Sequence, residues 1–339
     1  MSRYFFLALL LLIPFPVSAT ELEPGTGVTV QPGRATWNTG YFQEALVRAG
    51  LEELGYRVET PKELQNPLFY QSLALGDVDY WANGWFPMHN EHISERAMKQ
   101  IEVLGYIVKS GGLQGYLVSR RDADRFGITS LDDFKRSEVK EAFDANGDGK
   151  ADLVACPPGW GCEKTISYHL DIYDMHDHIK PIKAGYTASM ADALARYRSG
   201  EPVFFYTWAP NWTIFQFKPG EDVVWINVPE IKPRPVEKEA ADRMVVAGVK
   251  GAVTDPAELG FVVADIRMVA NRDFLKTNPP AKKFFELFTL PLEDINEQNT
   301  RMQNGEKSQQ DIERHAAEWI TANRGVWDQW LMAARAAAD

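Results

Sequence analysis

Cysteine is scarce in this 339-residue chain: Cys156 and Cys162 are the only two, alongside six histidines. That stock excludes a zinc-ribbon framework and a small domain knitted by several disulfides. Basic excess is missing too. A formal charge of −11 without a Lys/Arg run argues against nucleic acid and anionic membrane surfaces as partners. After residue 19 no apolar stretch approaches the length of a membrane-spanning helix. Catalytic signatures are absent as well: there is no G-x-S-x-G elbow, no H-E-x-x-H, no G-x-x-x-x-G-K-[ST] and no G-x-G-x-x-G after the first strand. One hydrolase reading survives, a secreted enzyme with Cys162 as nucleophile and His169 as base, and it requires a free thiol. His89/His92 and His176/His178 have the spacing of paired zinc ligands, on a helix and a strand respectively, but no third ligand accompanies either pair.

What is present begins with a targeting segment. Arg3 supplies a short basic region, Phe5 to Pro16 an apolar core, and Val17-Ser18-Ala19 a small-residue cleavage pattern. Residues 1–19 therefore read as a secretory signal peptide, with the mature chain starting near Thr20. In an oxidising compartment a Cys156–Cys162 disulfide is the default state. It closes a short loop and contributes roughly 2 kcal/mol on the chain-entropy account, so its main effect is to fix the local shape of Gly159-Trp160-Gly161. About 320 mature residues predict two domains.

The pattern over 27–60 predicts strand, helix and strand, a βαβ unit with Gly55 ending the helix. Pro67 to Leu75 predicts a helix, and Val78 to Ala82 a strand running into N-G-W-F-P-M-H. Two strands are expected over 102–119 around Gly111-Gly112, a crossing point between domains. A second α/β block follows, residues 230–260 resist assignment, two short strands near 261–264 and 267–270 return the chain to the first domain, and the tail is helical. Trp319, Trp327 and Trp330 belong to that tail as core residues. In D-A-N-G-D-G-K-A-D (144–152), Asp144, Asn146, Asp148 and Asp152 fall at positions 1, 3, 5 and 9 of an EF-hand-type calcium loop. Position 12 is Ala155, so the segment reads either as a structural calcium site or as an Asn-Gly/Asp-Gly turn.

Three tryptophans occupy turn-like ends of expected strands: Trp85 in N-G-W-F-P-M-H, Trp160 in C-P-P-G-W-G-C and Trp208 in F-F-Y-T-W-A-P-N-W. Ligands of open α/β sheets bind at the carboxyl ends of strands. Indoles gathered there suit a quaternary ammonium, which is drawn to ring faces and has no hydrogen bond to satisfy. As residues alone, the three fit either such a box or three separate core positions.

N-G-W-F-P-M-H, D-x-N-G-D-G-K-A-D-L, C-x-P-G-W-G-C-E and F-x-Y-T-W-x-P-x-W, in this order, resemble the periplasmic glycine betaine/proline betaine-binding proteins of ProU-type ABC transporters. The resemblance runs from about 27 to 335 and is weakest over 228–262. It implies a type II periplasmic-binding-protein fold, two α/β lobes joined by a hinge with the ligand in the cleft: residues 20–110 and 263–339 in one lobe, 111–262 in the other. It implies a trimethylammonium box of Trp85, Trp160 and Trp208, a carboxylate held by His89 and the backbone of Gly161 and Cys162, and the Cys156–Cys162 disulfide. It also implies a monomer in the periplasm that hands an osmoprotective betaine to a permease with its ATPase, with no enzymatic activity and no cofactor. Tyr80, Trp81 and Trp212 lie close in sequence to the box and leave open a shift toward proline betaine, dimethylsulfoniopropionate, carnitine or choline. Choline ranks low because it lacks the carboxylate.

Overall fold

The computed structural model describes residues 23–338, and the expected signal peptide lies outside them. Thirteen strands appear among the described residues: β1 (Thr29–Val30), β2 (Pro32–Arg34), β3 (Arg57–Val58), β4 (Lys62–Glu63), β5 (Tyr80–Phe86), β6 (Ile101–Ser119) and β7 (Ala151–Val154) come first. Then follow β8 (Ile179–Ile182), β9 (Phe204–Ala209), β10 (Val223–Ile226), β11 (Val245–Val246), β12 (Ala257–Glu258) and β13 (Ala264–Asn271).

The expected βαβ unit is present as β1, the helix Tyr41–Glu53 and β3, paired in parallel, but it forms a small ladder of its own. The chain reaches the main sheet one step later, through β2. That sheet has nine strands in the order β4-β2-β5-β13-β6-β9-β7-β8, with β10 also on β6. Two sequence expectations are corrected here. Residues 101–119 form one continuous strand, not two, because Gly111 and Gly112 keep an extended backbone. The return is likewise one strand, β13, which leaves Phe261 outside it. Residues 230–260, unassigned from sequence, hold the 3₁₀ segment Pro235–Met244 and the β11–β12 pair.

Nineteen residues at about 3.3 Å each make β6 roughly 60 Å long, enough to serve two groups of strands. Ile101 to Gly112 pair with β13, and Leu113 to Val118 pair with β9. The change of partner falls between Gly112 and Leu113. β7 and β8 join β9 in parallel on one side, and β5 and β2 join β13 on the other. C-terminal helices cover the latter group: Pro279–Leu287 packs on Arg324–Arg335 and on β6, with Trp327 and Trp330 buried between them.

Candidate functional site

The sequence-derived site residues come from separated elements and converge. Trp85 is the penultimate residue of β5, Trp208 the penultimate residue of β9, and Trp160 the N-cap of the helix Gly161–Ile172. Together with His89, Gly161 and Cys162 they line one cavity. Trp37, Asn66, Met88, Gln114 and Tyr206 complete its wall.

The rings are set at angles. Trp160 and Trp208 have centroids 5.5 Å apart at 78°, and Trp37 meets Trp160 at 5.2 Å and 72°. Rings crossed at such angles make walls of a cage, and an indole face turned into it would meet a cation with its negative quadrupole. Each wall has a reason in the surrounding sequence. A Cβ on Gly112 would come within 2.6 Å of the Trp85 ring, so β6 carries glycine where that indole lies across it. The Trp160 indole donates to Thr36 Oγ1 at 2.9 Å, and Tyr206 donates to Gln114 Oε1 at 2.7 Å. Trp81 does not line the cavity: it stacks behind His89 at 5.6 Å and 16°. Tyr80 is buried against Phe285, while Trp212 lines a separate outer pocket that shares Trp37, Trp160 and Trp208 with the cavity.

Polar groups occupy one end. Trp160 offers no side-chain cap, so the first amides of its helix, Gly161 and Cys162, have no partner within the helix. A free helix N-terminus is an anion site through its N–H groups and its dipole. Gly161 is glycine because Met88 packs against it; a Cβ there would stand 2.8 Å from the Met88 side chain. Cys162 is bonded to Cys156, with Cα atoms 6.1 Å apart, so the loop bearing Trp160 is tied to the helix start. That bond removes the Cys162/His169 hydrolase reading, because no free thiol exists. His169 instead contacts the Tyr116 hydroxyl at 2.9 Å and the Gly260 carbonyl at 3.2 Å.

His89 is buried and uncharged: burial, with His92 beside it, holds its imidazole well below the usual histidine range. The Trp85 backbone N–H donates to its Nδ1 at 3.1 Å, which places the remaining proton on Nε2. Nε2 lies 3.1 Å from Asn66 Nδ2, and Asn66 Oδ1 has no partner. Exchanging the oxygen and nitrogen of that amide would let the oxygen accept the Nε2–H. The cavity is thus lined by an uncharged imidazole and by two backbone N–H donors, with no ionised side chain among its lining residues.

The remaining expectations lie elsewhere. Asp144 accepts the amides of Gly147, Asp148 and Gly149 at 2.7–3.1 Å, and Asp152 accepts those of Ala145 and the Asn146 side chain at 3.0 and 2.7 Å. Asp148 pairs with Lys180. The loop's carboxylates are engaged by its own amides and this lysine, away from the cavity. Among the described residues no group of three or more His, Cys, Asp or Glu is placed to hold a metal ion, and His89 with His92 has no third ligand.

A cavity of neutral rings and amide donors, set beside the partner change of a sheet that serves two groups of strands, defines a solute-binding protein of the type II periplasmic-binding-protein fold. The chain belongs to the family described as the substrate binding domain of ABC-type glycine betaine transport systems, whose profile matches residues 28–322. It is 41% identical over 332 residues to the glycine betaine-binding periplasmic protein OusX of Dickeya dadantii, covering 98% of this chain and 97% of that one. It is 39% identical over 337 residues to the glycine betaine/proline betaine-binding periplasmic protein of Escherichia coli, covering 99% and 98%. Among solved structures, lactococcal OpuAC in its closed, glycine betaine-bound form matches with a TM-score of 0.67 at 18% identity, over 90% of this chain and 99% of that one. A choline-binding ABC-transporter protein in complex with choline matches at 0.68 and 18%, over 92% and 98%. At such identities these two structures speak to the fold alone.

Five lining residues escape sequence reasoning. Trp37 meets the same criterion as the other tryptophans, since it follows a strand in P-G-R-A-T-W-N, but β2 is three residues long and has no alternating pattern to reveal it. Met88 and Tyr206 sit inside N-G-W-F-P-M-H and F-F-Y-T-W-A-P-N-W, where the tryptophans drew the reading, whereas Asn66 and Gln114 sit in regular elements without any local signature.

Proposed function

We propose that this protein captures glycine betaine or proline betaine in the periplasm and presents it to the permease of an ABC importer with its ATPase, acting as a monomeric receptor and not as an enzyme. The observation that carries this is the pairing, in one uncharged cavity, of aromatic faces with three N–H donors. A trimethylammonium group has no hydrogen to donate and loses little by leaving water for ring faces, each worth roughly 0.5–2 kcal/mol when desolvated. The carboxylate at the other end of the ligand accepts from the amides of Gly161 and Cys162 and from His89 Nε2–H, which it takes over from Asn66. Within the described residues, 23–110 and 263–338 make one lobe of this reading and 111–262 the other, so a ligand touching Trp85 and His89 on one side and Trp160, Gly161, Cys162 and Trp208 on the other favours the arrangement that brings them together.

The test is tryptophan fluorescence and calorimetry of the mature protein with glycine betaine, proline betaine, choline and free proline. Saturable binding of the betaines, with choline and proline much weaker, is the expected result. Choline binding as tightly as glycine betaine removes the carboxylate roles of His89, Gly161 and Cys162. Trp160→Ala and Trp208→Ala should each weaken glycine betaine about 10-fold or more while leaving the circular dichroism spectrum intact. Wild-type affinity in both variants overturns the box.

A further inference from the structure

Resting on the betaine reading above, we propose that Trp37 is a fourth indole wall of the cage that sets the size of head group accepted, and that Asn83 is the positioning residue that locks it in place. Trp37 is 7% exposed and Asn83 2% exposed. The Asn83 side-chain oxygen accepts the indole N–H of Trp37 at 2.8 Å and that of Trp85 at 2.9 Å. Indole nitrogens only donate, so this amide has one acceptable orientation, and a single oxygen fixes two walls relative to each other. Two buried N–H groups depend on it, since neither indole has another partner.

Trp37 also reaches across. It contacts Trp81 at 5.5 Å and His89 at 6.3 Å on the side of β5, and Trp160 at 5.2 Å on the side of the Gly161 helix. The residue before it, Thr36, accepts the Trp160 indole N–H. The dipeptide Thr36-Trp37 therefore ties together walls drawn from distant parts of the chain. Trp37 also lines the outer pocket beside the cage. Its ring thus stands with Trp160 and Trp208 as the partition between the two spaces. Removing it opens the cage into the outer pocket, removes one face for a small ammonium, and makes room for a larger one.

The experiment measures calorimetric affinities of wild type, Trp37→Ala, Trp37→Phe, Asn83→Leu and the Trp37→Phe/Asn83→Leu double variant. The ligands are glycine betaine and its bulkier triethylammonio analogue, and folding is checked by circular dichroism. Trp37→Ala is expected to lose about 10-fold for glycine betaine, the scale of one desolvated ring face. It should lose little or gain for the triethyl ligand, so that the preference between the two narrows. Trp37→Phe, which keeps a ring, should retain most of the preference. Asn83→Leu should narrow it in the same direction, and by less in the Trp37→Phe background, where one of its two indole partners is gone. If wild type binds glycine betaine and Trp37→Ala shows the same affinity and preference, the fourth wall is overturned while the betaine reading stands. An equal loss for both ligands in the folded variants makes Trp37 a packing residue only and also overturns it. A wild type that binds neither ligand overturns both.

Discussion

His89, His92 and His169 sit against neighbours that disfavour their charged forms. Desolvation holds His89 well below the usual histidine range, His92 down to about 4 and His169 to about 3. An unfolded chain binds these protons near pH 6.5, so below that pH the unfolded state gains protons the folded state refuses, and stability falls as pH drops toward 4. Glu44 works in the opposite sense. Burial raises it to about 7, so its contribution is full below its unfolded value and is lost as pH rises through 7. Three imidazoles against this carboxyl leave the protein less stable at pH 5.5 than at pH 7, by about 1–2 kcal/mol. Urea unfolding at the two pH values measures it, and His169→Gln should flatten the difference. An equal or higher midpoint at pH 5.5 contradicts the assignment of neutral histidines.

At the scale of elements, β6 is the feature that organises the site and the one the sequence concealed. Gly111-Gly112 reads as a break between strands, yet the strand continues through the pair with irregular register against β13, and Gly112 is there to admit the Trp85 ring. Gly112→Ala should therefore leave the strand intact but displace Trp85, weakening glycine betaine by about 10-fold with little change in melting temperature, measured by calorimetry and thermal melts. Trp85, Trp160 and Trp208 were legible because each sits in a distinctive local string at the end of an element. Trp37 and Asn83 were not. A three-residue strand leaves no periodicity, and a hydrogen bond spanning 46 positions leaves no local trace. The Cys156–Cys162 bridge was legible from composition and compartment. It holds the Trp160 loop on the start of its helix, so reduction should lower betaine affinity while most of the fold persists, the loop being too short for its closure to contribute more than roughly 2 kcal/mol.

Across the whole molecule, the segment that resisted assignment supplies a long-range tie. Arg234 is buried and donates to both carboxylate oxygens of Glu237 at 2.9 and 2.7 Å, and to Glu91 at 2.8 Å. Glu91 lies two residues from His89, so the 3₁₀ segment Pro235–Met244 is fastened through Arg234 to the turn that carries the cavity's histidine. Removing the guanidinium strands Glu237 in the interior. Arg234→Ala should destabilise by about 3–5 kcal/mol in chemical denaturation, whereas Glu91→Gln, which leaves the Glu237 pair whole, should cost far less. The type II fold was legible from the order of motifs along the chain. The route of residues 228–262 was not, because it depends on such distant pairings.

One property of the cavity reaches beyond affinity. Its lining is aromatic rings, amides, a thioether, a disulfide sulfur and an uncharged imidazole, and a betaine carries no net charge. Dissolved ions screen interactions between exposed charges and have little purchase on a buried cage whose attractions arise from ring quadrupoles and short hydrogen bonds. Glycine betaine affinity should therefore stay within about 2-fold from 0.05 to 0.5 M sodium chloride, a range over which a receptor steered by ion pairs would fade. The protein would then bind its ligand as well in brine as in dilute medium.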